Sequence, residues 1–173
     1  MAHKHSHGHG LEERDDLTGE HRLGDAGQAA LACLFAVVWI ADTLFLKATT
    51  FLNAAVPVAV RIPLGVVLLA LAGYLAVTGL SIVFGERRET PCVIRKSVFG
   101  VVRHPVYLSE ILLYLGFLMF SVSLAAVGVW VVAIAFLHHI SRSEEKMLLA
   151  RFGEDYEQYV RDVPMWIPRL RKH

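Results

Sequence analysis

The sequence predicts an all-α, polytopic transmembrane helix bundle: four crossings, a C-terminal helical hairpin and a cytosolic helical tail. Three observations carry this expectation. Apolar residues make up 55% of the 173-residue chain and the mean hydropathy is +0.49, too apolar for an ordinary soluble domain of this size. The apolar residues are clumped into runs. Basic residues gather beside those runs although the formal net charge is only +1, as they do at the cytoplasmic ends of membrane helices.

Taken in order, residues 1–25 form a polar tail carrying His3, His5, His7 and His9. It has no apolar core and is not a cleavable signal peptide. Alternating histidines suit a borderline metal, but a solvated tail is the preferred account of them, and no metal site is assigned. Residues 26–173 are expected to form a single membrane domain. Its first crossing is Ala26–Leu46, since about twenty residues at 1.5 Å each span the hydrocarbon core. Asp42 marks its far end as an interfacial cap. Thr49, Thr50, Asn53 and Pro57 signal a turn. Ile62–Phe84 is the second crossing, with Pro63 at its start, where proline is tolerated. Gly65, Ala72, Gly73, Ala76 and Gly79 give it small surfaces for close packing. The connection Gly85–Arg103 holds Arg87, Arg88, Arg95, Lys96 and Arg103 and is therefore cytoplasmic.

Val106–Ile140 would be roughly 52 Å long as one straight helix, against a core of about 30 Å. A hairpin turning at Ser121–Val122–Ser123 resolves this, giving crossings at 106–120 and 124–140 and a cytosolic segment over 141–173. Both termini then lie in the cytoplasm. Cys33 and Cys92 imply no disulfide framework. The basic stretches flank membrane helices, so lipid, not nucleic acid, is the expected partner. The sequence does not set an oligomeric state.

The hairpin brings two polar clusters to one face. The first is Arg103-His104-Pro105-Val106-Tyr107, where Pro105 opens a helix. The second is Arg142-Ser143-Glu144-Glu145, preceded by His138 and His139. The histidine pair points about 100° apart on a helix and is a poor joint metal ligand. Arginine grips a carboxylate through a planar fork, and glutamate holds an ammonium or ribose hydroxyls. These are the needs of an amino-acid-bearing cofactor such as S-adenosylmethionine, with apolar walls admitting a lipid-soluble acceptor from the side. Helix anchoring explains the same residues.

A family resemblance bears on that choice. Arg103-His-Pro-Val-Tyr107, Gly116, Glu144-Glu145 with Leu148, Phe152-Gly153, Tyr156, Tyr159, Pro164 and Pro168 form an ordered series. It resembles the integral membrane methyltransferases, including isoprenylcysteine carboxyl methyltransferases and phospholipid N-methyltransferases, in their compact prokaryotic branch. Ser109 departs from the glycine many relatives carry there. The resemblance implies S-adenosylmethionine bound by Arg103, His104, Tyr107, His139, Glu144 and Glu145. It also implies methyl transfer to a membrane-resident acceptor, either a prenylcysteine-like carboxylate or a phospholipid amine. Arg103, Glu110 and Glu144 are the expected catalytic residues, with Glu110, Glu144 or a histidine taking a proton from an amine acceptor. The alternatives are a non-enzymatic membrane scaffold and a metal-handling membrane protein that uses the His tail and His138-His139.

Overall fold

A computed structural model describes residues 22–85 and 91–168. The His tail, with His3, His5, His7 and His9, lies outside the described residues, as do Arg87 and Arg88 of the expected cytoplasmic loop. The described residues form helices α1 (Arg22–Ile40), α2 (Val58–Phe84), α3 (Pro105–Phe120), α4 (Leu124–Phe152) and α5 (Glu154–Asp162), with no strand among them. Gly24–Leu46, Val58–Phe84 and Leu124–Phe152 are long and apolar enough to cross a membrane, and Pro105–Phe120 is a shorter apolar helix. The protein is an integral membrane protein built as an all-α polytopic bundle.

Element boundaries differ from the sequence reading in three places. α1 gives way at Ala41 to a π-helical turn that ends at Leu46. Asp42 folds back into this turn, accepting the amides of Ala48 and Thr49 at 2.9 and 3.1 Å and the Thr49 hydroxyl. α2 begins at Val58, so Pro63 falls inside it. α4 runs unbroken to Phe152. Its 29 residues extend about 43 Å, so the Glu144–Glu145 end projects past a core of about 30 Å.

α2 and α3 make the tightest pairing. Gly65, Ala72 and Gly79, spaced by seven, are buried on the face of α2 that meets α3. A Cβ at Gly65 would lie 3.1 Å from the Gly116 carbonyl, and one at Gly116 would lie 2.7 Å from Leu69 Cδ2. Absent side chains thus set the helix separation. Gly73 faces open space and takes no part. The second core joins α1, α3 and α4 through Phe35, Tyr114, Leu118, Ala126 and Ala133. Trp130 Nε1 donates to the Ile111 carbonyl at 3.0 Å across the α3–α4 seam. Outward-facing apolar residues such as Val37, Val67 and Val77 are exposed, which suits contact with lipid tails.

One end of the bundle is closed by a polar network. Arg61, a charge just before the second expected crossing, is only 6% exposed. Its guanidinium donates to Asn53 Oδ1 at 2.9 Å, the Val56 carbonyl at 3.1 Å and the Phe120 carbonyl at 3.0 Å. It satisfies a carbonyl that the end of α3 leaves without a partner. Asn53 accepts the Val122 amide at 2.8 Å and donates to Ser121 Oγ at 3.1 Å. Ser123 caps α4 by accepting the Ala126 amide at 3.2 Å.

Candidate functional site

The opposite end holds the two polar clusters. A 3-10 turn over Ser97–Gly100 leads into Arg103 and His104, and Pro105 starts α3. The C-terminal segment runs alongside: the Arg103 amide donates to the Pro164 carbonyl at 2.9 Å, and the His104 amide to the Met165 carbonyl at 3.3 Å. Gly153 makes this return possible. It sits at φ +55° between α4 and α5, a region where glycine pays no Cβ penalty.

Arg103 is the hub. Its Nε and Nη2 both lie 2.8 Å from Glu145 Oε1. Its Nη1 donates to the Val160 and Val163 carbonyls at 2.9 and 2.7 Å, placing a cation at the C-terminal end of α5. The two ion-pair side chains are only 8% and 9% exposed, so solvent screens the pair weakly. His104 is buried, with Nε2 3.2 Å from Glu145 Oε1 and Nδ1 3.6 Å from Glu144 Oε2. Its ring stacks on Tyr107 with centroids 5.6 Å apart, and the Tyr107 hydroxyl donates to Glu144.

Tyr156, Tyr159 and Val163 form a small core beneath this cap with Val93, Leu148 and Phe152. Burial raises the phenols of Tyr156 and Tyr159 above the ordinary tyrosine range. Tyr159 therefore remains a donor, to the Phe99 carbonyl at 2.7 Å. A cavity of about 190 Å³ opens among Cys92, Arg103, His104, Glu144, Arg151 and Tyr156. A second, of about 360 Å³, lies across Tyr156 among Arg142, Lys146, Glu157 and Arg161.

The structure thus brings Arg103, His104, Tyr107, Glu144 and Glu145 together. His139 is exposed on α4 and borders neither cavity. Glu110 is bonded within α3 to the Tyr114 hydroxyl. Sequence reasoning missed Ser141, fully buried on α4 with its hydroxyl unpartnered, and the carbonyls of Val160 and Val163 that hold Arg103. Ser141 lies one turn before Glu145, and that helical spacing is the signal that marks it.

The profile of the 3-oxo-5-alpha-steroid 4-dehydrogenase family matches residues 27–170, nearly the whole described chain. The chain belongs to this family. It is also similar to the cobalt-zinc-cadmium resistance protein CzcN of Cupriavidus metallidurans, at 30% identity over 84 residues. That stretch covers 48% of this chain and 38% of the relative, so the chain spans well under half the length of the curated relative it matches. No solved structure matches.

Membership in the steroid dehydrogenase family overturns the methyltransferase expectation, and with it S-adenosylmethionine, methyl transfer to a prenylcysteine or phospholipid acceptor, and lipid modification as a role. The geometry gives the physical reason. Arg103, expected to grip a cofactor carboxylate, spends its fork on Glu145 and two backbone carbonyls. Tyr156, Tyr159 and Pro164 likewise hold the cap to the bundle. The ordered series behind the resemblance describes how a cap is fastened to membrane helices, and that does not specify the chemistry beneath it.

Proposed function

We propose that the chain is a membrane oxidoreductase that adds or removes two hydrogens across a carbon–carbon bond next to a ketone in a bilayer-soluble substrate. The observation that carries this reading is the Tyr107–Glu144 pair, buttressed by His104, at the mouth of an apolar bundle and beside a cavity. Family membership supplies the reaction class. In the same reading α3 makes a fourth crossing, and the basic Arg103 face is cytoplasmic.

The family implies a nicotinamide dinucleotide, and the donor set fits one. Arg142, Lys146, Arg151 and Arg161 border the two cavities that share Tyr156 as a wall; Arg142 and Arg161 pair with Glu145 and Glu157 at 3.5 Å, and a diphosphate would draw these cations to itself. Phe99, Phe152 and Tyr156 offer flat walls for a ring. When bound, such a cofactor supplies or accepts hydride.

The chain's own residues do the rest. As hydride reaches the carbon β to the ketone, negative charge grows on the carbonyl oxygen, and a donor placed there in advance stabilises it. Tyr107 is that donor once its single O–H, given to Glu144 in this structure, turns to the ketone oxygen. Glu144 fixes the phenol from one side and His104 stacks on its ring. The Arg103–Glu145 pair keeps His104 and the cap in register, which excludes water from the mouth. Cys92 is exposed and borders the smaller cavity, whereas Cys33 lies on α1. Reduced dinucleotide is therefore expected to slow thiol labelling of Cys92 several-fold and leave Cys33 unchanged. Equal labelling of Cys92 with and without it, at saturating concentration, would sink the reading.

A second reading, metal handling, is favoured by the name of the relative and by His3, His5, His7 and His9. Among the described residues no group of three or more His, Cys, Asp or Glu is placed to hold a metal ion. This reading therefore rests on the tail. It fails if replacing those four histidines by alanine leaves zinc binding by the full chain unchanged.

A further inference from the structure

The reaction above needs a proton at the carbon adjacent to the ketone, and nothing in the Tyr107–Glu144 cluster is free to reach deeper for it. Glu110 is the only carboxylate of α3. It lies three residues beyond Tyr107, so the two side chains are neighbours on one helix face. Tyr114, four residues further, donates to Glu110 and is 2% exposed. Tyr114 is locked by stacking on Phe35 of α1 at 4.4 Å and 10°. Among the described residues no cation pairs with Glu110, and its own side chain is half-buried. An unpaired charge inside an apolar helix is costly, and one phenol does not offset it.

We propose that Glu110 is the acid of the site, delivering a proton to a lipophilic conjugated ketone and being refilled from the cytoplasmic face through Glu144 and Tyr107. This rests on the oxidoreductase reading. In the reducing direction the β-carbon receives hydride, with its electron pair, from a reduced nicotinamide. The carbon–carbon π bond breaks and the pair passes through the enolate. The Glu110 O–H bond then breaks as a C–H bond forms at the α-carbon. The substrate gains two hydrogens, the nicotinamide is oxidised, and Glu110, left as carboxylate, takes back a proton from water. Tyr114 is a positioning residue that holds the carboxyl through its hydroxyl.

The test is modification of the full-length protein in lipid bilayers by dicyclohexylcarbodiimide, which reacts with protonated carboxyls in apolar surroundings, followed by peptide mass spectrometry. The expected result is an adduct on Glu110, absent in Glu110→Gln, forming several-fold more slowly when cholestenone is present. Adducts confined to Glu144, Glu145 or other carboxylates would overturn the proposal. An adduct on Glu110 that cholestenone does not slow would overturn the contact with substrate, and with it the acid role. Neither arm uses the dinucleotide. Failure of dinucleotide to shield Cys92 while Glu110 is labelled and shielded therefore counts against the cofactor reading and not against Glu110. In Glu110→Gln, reduction is expected to fall about 100-fold or more with Cys92 shielding intact; wild-type turnover would refute the assignment.

Discussion

Arg103→Ala is expected to detach α5 and the segment after it from the bundle, at a cost of about 3–5 kcal/mol. The substitution leaves Glu145 charged and buried without its main partner, and leaves the Val160 and Val163 carbonyls without donors. It also removes an anchor from the loop whose amides pair with Pro164 and Met165. The loss should appear as a lowered unfolding midpoint in detergent and as rapid proteolysis near Gly153. Arg103→Lys keeps the charge but not the fork, so it should fall between wild type and alanine. An Arg103→Ala protein as stable and protease-resistant as wild type would show that the ion pair does not hold the cap.

Tyr107→Phe is expected to lower turnover about 10²–10³-fold, the effect of losing one preorganised donor at a developing oxyanion. The ring, its stacking on His104 and the helix are preserved. Dinucleotide shielding of Cys92 should therefore remain at the wild-type level. A parallel loss of shielding would show that Tyr107 serves the cofactor cavity and not the ketone.

Most of the architecture was legible because membrane helices announce themselves by length. The runs at Ala26, Ile62 and Val106 were read as helices, and the Ser121–Ser123 break falls between α3 and α4. Boundaries were less legible. Pro63 looked like a helix start, but Val58–Ile62 are also helical because Arg61 is folded inward to close the end of α3. The last crossing was ended at Ile140 because hydropathy falls there, while the helix itself runs on to Phe152, where Phe152-Gly153 marks one helix end and the next start.

The meeting of Arg103, His104, Tyr107, Glu144 and Glu145 followed from turning the chain at Ser121–Ser123. The partners of Arg103 on α5 did not, since backbone carbonyls leave no mark in a side-chain pattern. That omission misdirected the chemistry: a free arginine fork invites a carboxylate-bearing cofactor, whereas the observed fork is already filled. Arg61 was less legible for a related reason. A charge at the end of an apolar run looks solvent-facing until the loop that folds over it is seen.

The central claim is that this cap-and-bundle site moves hydride between a nicotinamide and a membrane-soluble ketone. The most direct measurement supplies the purified full-length chain with dinucleotide deuterated at the transferable position and with total membrane lipid extract, then follows the lipids by mass spectrometry. The account predicts deuterium in an apolar carbonyl compound, one per molecule, lost in Tyr107→Phe. Deuterium retained entirely in the dinucleotide, by a protein whose Cys92 the dinucleotide shields, would contradict it.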